Sequence, residues 1–328
     1  MAHTLGDILA SLRVVSIPTR TRFRGITTRE AALFEGPEGW TEFSPFLEYD
    51  DIEAASWLAA ALDFGWRPTP PLIRDRVLVN ATVPAVGAEQ VAEILSRFDG
   101  CTTAKIKVAE RGQTLDDDVA RVAEVRRIMG QGANIRIDAN GAWSVAEALT
   151  AIRALEGLNL EYVEQPCATV SELEQLRALV LADGLTVRIA ADESVRKASD
   201  PIEVARRGAA DVVVIKAQPL GGIHTAMAVA AEAGLPTVVS SALDTSVGIS
   251  MGLHLAAALP EQPFAAGLAT AALLAGDVTD DSLLPSDGAL RVRRVAPSDT
   301  LLASYAASTE RAGWWASRIR RTYELLEQ

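Results

Sequence analysis

From residue 77 to about residue 270 the chain alternates short runs of β-branched and other apolar residues with amphipathic stretches long enough to be helices. No other feature restricts the fold as much. The β candidates are 77–83, 104–108, 134–138, 160–164, 186–191, 211–216, 236–241 and a weaker 263–267, eight in all. Two intervening stretches carry capping-box patterns, Ser144-Val-Ala-Glu147 and Ser171-Glu-Leu-Glu174, which mark helix starts because each end of the box satisfies a free N–H of the first turn. Strand and helix in turn require a parallel sheet with right-handed crossovers, and eight such units predict an α/β fold closed into a modified (β/α)8-type, TIM-like barrel. The rival is an open doubly wound sheet, which usually brings a nucleotide fingerprint. Neither GxGxxG after a strand nor GxxxxGK[ST] occurs.

The flanks have a different pattern. Residues 12–18 and 26–34 are expected as strands, and Gly36-Pro-Glu-Gly39 turns the second back towards Trp40–Phe43, giving a small antiparallel sheet. A helix is expected over 51–64 with Ile52, Ala55, Leu58, Ala59 and Leu62 on one face, closed by Gly65 and by Pro68, Pro70 and Pro71. These signals divide the chain into an α+β capping domain over 1–76 and a barrel over 77–290. The tail, 291–328, with a strand-like Leu290–Val295 and a helix containing Trp314 and Trp315, is expected to pack back on the cap.

A chain of 328 residues with 49% hydrophobic and 23% charged residues has enough apolar material for such a core. Its net charge of −12 disfavours nucleic acid or an anionic membrane surface as the main partner. Met1 to Leu12 lacks a basic segment and carries Asp7, and no apolar run approaches a membrane span, so no secretion or membrane anchoring is expected. Cys101 and Cys167 make neither a CxxC pair nor a disulfide framework and suit small buried positions in a reducing cytoplasm.

In a parallel barrel the functional groups stand at the C-terminal ends of the strands. Five successive strand ends here carry charge: Lys105 and Lys107, Asp138, Glu164, Asp192, and Lys216. The i, i+2 spacing puts both Lys105 and Lys107 on the barrel-facing side. Asp138, Glu164 and Asp192 are each about one βα unit apart, so their carboxylates are expected to come together from neighbouring strands. Three such carboxylates repel, and a hard divalent cation relieves the repulsion, with Mg²⁺ favoured because all the donors are oxygens and no Cys or His is near. Lys105, Lys107 and Lys216 flank the space above. A lysine near other cations and partly desolvated has its pKa lowered towards the range where it serves as a general base. Metal and lysines together match proton abstraction α to a carboxylate.

The set KxK, Asp, Glu, Asp, Lys resembles that of the enolase superfamily in its muconate-lactonising-enzyme-like subgroup, and the likeness covers the barrel from about 77 to 270. It extends to Ile17-Pro-Thr-Arg-Thr-Arg-Phe-Arg24-Gly25, Glu42-Phe-Ser-Pro-Phe46 and Ile137-Asp-Ala-Asn-Gly-Ala-Trp143, which are similar to the subgroup's dehydratases of menaquinone biosynthesis. The resemblance implies Mg²⁺-dependent dehydration (Mn²⁺ substituting) of 2-succinyl-6-hydroxy-2,4-cyclohexadiene-1-carboxylate. It makes Lys107 the base and then the acid for the departing hydroxyl, Lys216 a cation facing the intermediate, and Lys105 the holder of the substrate carboxylate. Asp138, Glu164 and Asp192 become the metal ligands, supported by Asn140 and Glu193. Ser240, Ser241 and Gly267 are expected to line the substrate, with Arg22, or its neighbours Arg20 and Arg24, reaching it from a lid loop.

An N-acylamino acid racemase or dipeptide epimerase of the same subgroup would use the same lysines and metal, and a non-catalytic barrel is the reading from another class. Dipeptide epimerases bind the substrate ammonium with acidic residues after strand eight. Here Pro263 to Gly276 carries no charge. Gly248-Ile-Ser250-Met-Gly252 fits the GxSxG pattern of hydrolases but falls within a helix, as do His224 and His254.

Overall fold

The structure, a computed structural model, describes residues 3–195 and 200–327. It opens with helix α1 (Leu5–Ser11) and an antiparallel sheet β1-β2-β3 (Arg13–Phe23, Ile26–Gly36, Gly39–Phe43), followed by helix α2 (Asp51–Trp66). Strands β4 (Arg76–Leu78), β5 (Ala81–Val83) and β6 (Thr103–Lys107) come next, with α3 (Val91–Leu95) between the last two. The chain then alternates α4 (Leu115–Met129), β7 (Asn134–Asp138), α5 (Val145–Leu155), β8 (Leu160–Glu164), α6 (Val170–Ala182), β9 (Arg188–Ala191), α7 (Asp200–Arg207), β10 (Val212–Ile215), α8 (Ile223–Ala233), β11 (Thr237–Val239) and α9 (Ser246–Ala258). It finishes with β12 (Ala289–Arg291), α10 (Asp299–Ser304) and α11 (Thr309–Leu326).

Strands β5 to β11 form one parallel sheet in sequence order. The expected eighth strand at 263–267 is reduced to two parallel bridges, Val79 with Ala266 and Ser240 with Gly267. These still close the ring: Ala266 N donates to Leu78 O at 2.7 Å and Gly267 N donates to Val239 O at 2.8 Å, so the residues leading into β5 and the end of β11 are joined across two residues. The fold is a modified TIM-like barrel. The expected strand 77–83 is split, because Val79 and Asn80 change partners: β4 pairs antiparallel with β12, and only β5 joins the barrel.

Two layers fill the barrel interior at the strand period of two. The lower has Tyr162, Ala190, Val212, Val214 and Val238 packed together with Phe264 against them, and the buried Arg136 lies over the Tyr162 ring, 4.7 Å from its centroid. The charged strand ends stand one step above it. Outside, α4, α5 and α6 open with complete capping boxes from Thr114, Ser144 and Thr169. The box of α6 is Thr169 with Glu172, two residues before the expected Ser171-Glu174: both tetrads fit the pattern, and the chain begins its helix at the earlier one.

The N-terminal sheet and α2 pack against α11, whose Trp315 is fully buried and donates to Glu30 Oε2 at 2.8 Å. Helix α2 buries Leu58 and Leu62 as expected, but its buried face is rotated to take in Ala54, Trp57 and Ala61 while Ile52 is 75% exposed. Two tryptophans in one helix carry more apolar area than its alanines, and they set which side docks. Cys101 and Cys167 are free thiols, and burial pushes them up to about 11 and about 12. Among the described residues no helix is long and apolar enough to cross a membrane.

Candidate active site

The parallel register sets Lys107 beside Asp138 and Asp138 beside Glu164, with Asp192 just past the end of the next strand. Lys105 Nζ lies 2.8 Å from Glu164 Oε1 and 3.2 Å from Asp138 Oδ2. Lys107 Nζ lies 2.5 Å from Asp138 Oδ2 and donates to Asn140 Oδ1 at 2.8 Å, while Asn140 Nδ2 donates to Glu193 Oε1 at 3.0 Å. Lys216, at the end of β10, pairs with Asp192.

The carboxylates therefore meet lysine side chains as well as one another. The three lysines offset part of the repulsion expected of three bare carboxylates, and part of it remains at Glu164. Among the described residues no three His, Cys, Asp or Glu side chains stand close enough together to enclose a metal as they are turned here. The donor set nonetheless fits a hard divalent cation: three buried carboxylates come from adjacent strands, with all-oxygen chemistry. Their fields overlap. Burial together with Asp138 and Asp192 pushes the Glu164 carboxyl up to about 8, against the pull of Lys105. Burial also opposes ionisation of Asp138 and Asp192, but Lys107 with Lys105, and Lys216 with Lys105, outweigh it and hold both below the usual carboxylate value. Lys105 goes against the lowering expected for the lysines: although burial disfavours its charge, Glu164 and Asp138 hold its pKa well above the ordinary value.

The cleft above these groups spans about 430 Å³ including space open to solvent, and its lining includes the charged Lys105, Lys107, Asp192, Glu193 and Lys216 and the uncharged Ser240, Ser241, Gly267 and Thr270. Ser241 Oγ donates to Gly267 O at 2.8 Å and meets Thr270 Oγ1 at 2.8 Å. A side chain at Gly267 would bring its Cβ within 2.6 Å of Ser240 Oγ, so this wall has room for backbone only. A second space of about 350 Å³, sharing Arg24, Asp192, Lys216 and Ala242 with the first, runs on to Phe46, Tyr49 and Trp57 of the N-terminal unit.

Arg22 is not in the cleft; Arg24 is. The segment expected as a lid loop is the end of β1, where alternation turns Phe23 inward and leaves Arg22 exposed. Arg24 follows in the hairpin turn with φ 48°, which breaks the alternation and brings its guanidinium over the Phe46 ring, 4.6 Å from the centroid. Phe23 itself lies under Lys107 Nζ at 5.3 Å. Sequence reasoning missed Gln165, whose Oε1 accepts from the backbone N–H of Asp192 at 2.9 Å and of Ser194 at 3.2 Å, fixing the turn that presents Asp192. Its signal was its place after Glu164, with a left-handed φ of 37° that only the fold reveals.

The GxSxG motif is structural. Gly248 and Gly252 lie inside α9, where a Cβ would come within 2.8 Å of Glu42 Cδ and 2.6 Å of Leu268 Cδ2 respectively, and Ser250 Oγ donates to Arg293 O at 2.7 Å. His254 is buried in the same helix, and its lost hydration lowers its pKa. His224 pairs with Asp63 at the start of α8.

Residues 14–65 match the model of the family described as Enolase N-terminal domain-like and residues 88–297 that described as Enolase C-terminal domain-like, and the chain belongs to the enolase superfamily. The muconate lactonising enzyme of Pseudomonas fluorescens, solved with muconolactone, superposes with a TM-score of 0.76 at 20% identity, over 90% of this chain and 98% of its own. The enzyme of Pseudomonas putida gives 0.73 at 18% identity, over 90% and 98%. More specific are two relatives named o-succinylbenzoate synthase. That of Mycobacterium ulcerans is 52% identical over 98% of this chain and 96% of its own, and that of Mycolicibacterium smegmatis 53% identical over 98% of each. Their family is one of lyases within the superfamily, and the chain is an enzyme of that class.

Proposed function

We propose that the cleft dehydrates 2-succinyl-6-hydroxy-2,4-cyclohexadiene-1-carboxylate to o-succinylbenzoate in menaquinone biosynthesis. The observation that carries this reading is one cleft with Lys107 on one side, Lys216 on the other, and an uncharged wall at 240–241 and 267–270. In this reading residues 1–76 with 291–328 form the cap and 77–290 the barrel, acting in the cytoplasm on a small carboxylate and on neither nucleic acid nor membrane.

Asp138, Glu164 and Asp192 would hold Mg²⁺, which when bound supplies positive charge to the substrate carboxylate as its α-carbon loses a proton. Lys107 takes the α-proton. The electron pair left on carbon is first delocalised onto the substrate carboxylate and ring, and then forms the new ring double bond as the C–O bond to the hydroxyl breaks, the Lys107 ammonium returning its proton to that oxygen on the same face. Water leaves and the ring becomes aromatic. Asn140, itself held by Glu193, accepts from Lys107 at 2.8 Å and keeps its amine aimed at one place. Lys216 stays charged and faces the other side of the ring, where a cation–π contact stabilises the electron-rich intermediate. Lys105, protonated and deep between Glu164 and Asp138, keeps positive potential beneath the substrate carboxylate. Arg24 in place of Arg22 meets the succinyl carboxylate at the opening towards Phe46 and Tyr49.

Racemisation of an N-acylamino acid would use both lysines too. Dipeptides are disfavoured because the first acidic residue after Phe264 is Asp277, which is buried and accepts from Ser246 N at 3.1 Å, away from the cleft. The test of the reaction is the loss of cyclohexadiene absorbance with and without a chelator. Turnover restored by Mg²⁺ is expected, and a rate indifferent to chelation would contradict the metal assignment.

A further inference from the structure

Helices α4, α5 and α6 supply their own N-terminal caps, but α8 does not: its N-cap residue is Gly222, with no side chain to give. The acceptor comes from α2, where Asp63 Oδ2 takes the N–H of Ile223 at 3.0 Å and Asp63 Oδ1 meets His224 Nδ1 at 3.0 Å. The fit allows nothing larger, since a Cβ at Gly222 would fall 2.6 Å from Asp63 Oδ2. Helix α9 has a cap of its own, Thr245 Oγ1 accepting from Val247 N at 3.2 Å, and the carboxylate of Glu42, from β3, adds to it by accepting from Thr245 N at 3.2 Å, Thr245 Oγ1 at 2.5 Å and Gly248 N at 3.1 Å. Both helices follow strands that carry the far side of the cleft.

The contacts lead directly to that side. The N–H of Gly222, next to the capped Ile223, donates to Ala217 O at 2.9 Å, and Ala217 follows Lys216. Past Glu42, Asp244 accepts from Ala242 N at 3.2 Å and from Gln218 Nε2 at 3.1 Å, joining the loop after β11 to the loop after β10. Arg29 completes the joint, 3.7 Å from Asp244 and donating to Leu243 O at 3.1 Å, with its guanidinium 4.6 Å from the centroid of the Phe46 ring that also lies beneath Arg24.

We propose that Asp63 and Glu42 are positioning residues for the reaction: as caps supplied from the N-terminal unit, they set Lys216 through the turn before α8 and the Ser240–Ala242 wall through the turn before α9. Docking of the N-terminal unit thereby completes the catalytic side of the barrel as well as covering it. The inference rests on the proposed dehydration, because its readout is how Lys216 and the wall serve that substrate.

The test compares four purified full-length variants with the unaltered enzyme under Mg²⁺. Asp63→Ala is expected to lower kcat about tenfold with KM within about threefold, because displacing a charge-stabilising group by a fraction of an ångström weakens the transition state most. Glu42→Gln is expected to raise KM about fivefold with a smaller change in kcat, since its loop lines the substrate rather than reacting. Asp63→Asn keeps a carbonyl acceptor for Ile223 and should restore most of kcat. Ser308→Ala removes a cap of α11 far from the cleft and controls for lost stability alone. If Asp63→Ala does not fold, Asp63→Glu, which misplaces the acceptor by one methylene, takes its place with the same expectation. The proposal is overturned if Asp63→Ala and Glu42→Gln lose thermal stability as Ser308→Ala does yet keep kcat and KM, or if Asp63→Asn is no better than Asp63→Ala. An unaltered enzyme that does not dehydrate the cyclohexadiene carboxylate would instead overturn the proposed function.

Discussion

Helices α4, α5 and α6, which follow β6, β7 and β8, are capped by Thr114, Ser144 and Thr169 a turn away in sequence, whereas α8 takes its cap from Asp63 and α9 adds Glu42 to its own Thr245, carboxylates 160 and 206 residues away from the groups they bind. The first side of the barrel mouth carries Lys105, Lys107, Asp138 and Glu164; the second carries Lys216 and the serine wall. The carboxylate side is thus assembled by local signals that any segment of the chain contains within itself. The opposite side has its final geometry only after the N-terminal unit has docked. One site is built by two folding logics, and a substitution should act differently on each.

The largest expected effects separate the two sides by chemistry. Lys107→Ala and Lys216→Ala should each lower the dehydration rate by about 10²–10⁴-fold or more with the fold intact. Solvent exchange of the substrate α-proton should stop only in Lys107→Ala, because only that variant lacks the base; isotope exchange followed by NMR distinguishes them. Continued exchange in Lys107→Ala would reverse the assignment. Asp192→Asn, which belongs to the carboxylate set but pairs with Lys216 at the end of the adjacent strand, should abolish most of the rise in melting temperature produced by Mg²⁺. An unchanged rise would remove Asp192 from the metal site.

The same contrast separates what the amino-acid sequence makes legible from what it hides. Lysines two apart on one strand and acids one βα unit apart are local facts with local consequences, so the carboxylate side can be read directly from the order of residues. Ser144 is legible as a cap for the same reason, and the two-residue offset at Thr169 arises because overlapping tetrads both satisfy the rule. The eighth strand is barely legible because it is two bridges at Ala266 and Gly267, supported by their neighbours' edges and not by β propensity. Arg24 takes the place expected of Arg22 because a positive φ at the turn redirects a side chain that strand alternation would have turned elsewhere. The roles of Asp63 and Glu42 have no signal, since a carboxylate that caps a distant helix has no spacing to betray it. Helix α9, buried on every side, likewise shows no amphipathic face.

Smaller effects sharpen the contrast. Gly248→Ala should destabilise the fold by about 1–3 kcal/mol, since its Cβ would press on Asp244 Cβ at 2.7 Å and on the Glu42 carboxylate. Gly157→Ala, with nothing within 4 Å of its Cβ, should leave stability nearly unchanged, as chemical denaturation would show. The pH dependence is subtler. Burial, reinforced by Asp244 and opposed by Ser44, Thr245 and Arg29, pushes the Glu42 carboxyl up from 4.5 to about 7. Between those pH values the folded chain holds a proton that the unfolded chain has released, so this group's contribution to stability falls as pH rises from 4.5 to about 7 and is level above that. In Glu42→Gln the slope should flatten, with Asp244, also raised by burial, keeping the remainder. An identical slope in the variant would place the titration elsewhere.

The central claim is that this cleft, with Lys107 and Lys216 facing each other beside an uncharged wall, is a dehydratase of a ring carboxylate and not a racemase. It is tested most directly by a side-by-side assay of the unaltered enzyme with Mg²⁺, following loss of the cyclohexadiene absorbance in one cuvette and racemisation of an N-acylamino acid in the other. The account predicts the higher kcat/KM for dehydration, and a higher kcat/KM for racemisation would contradict it.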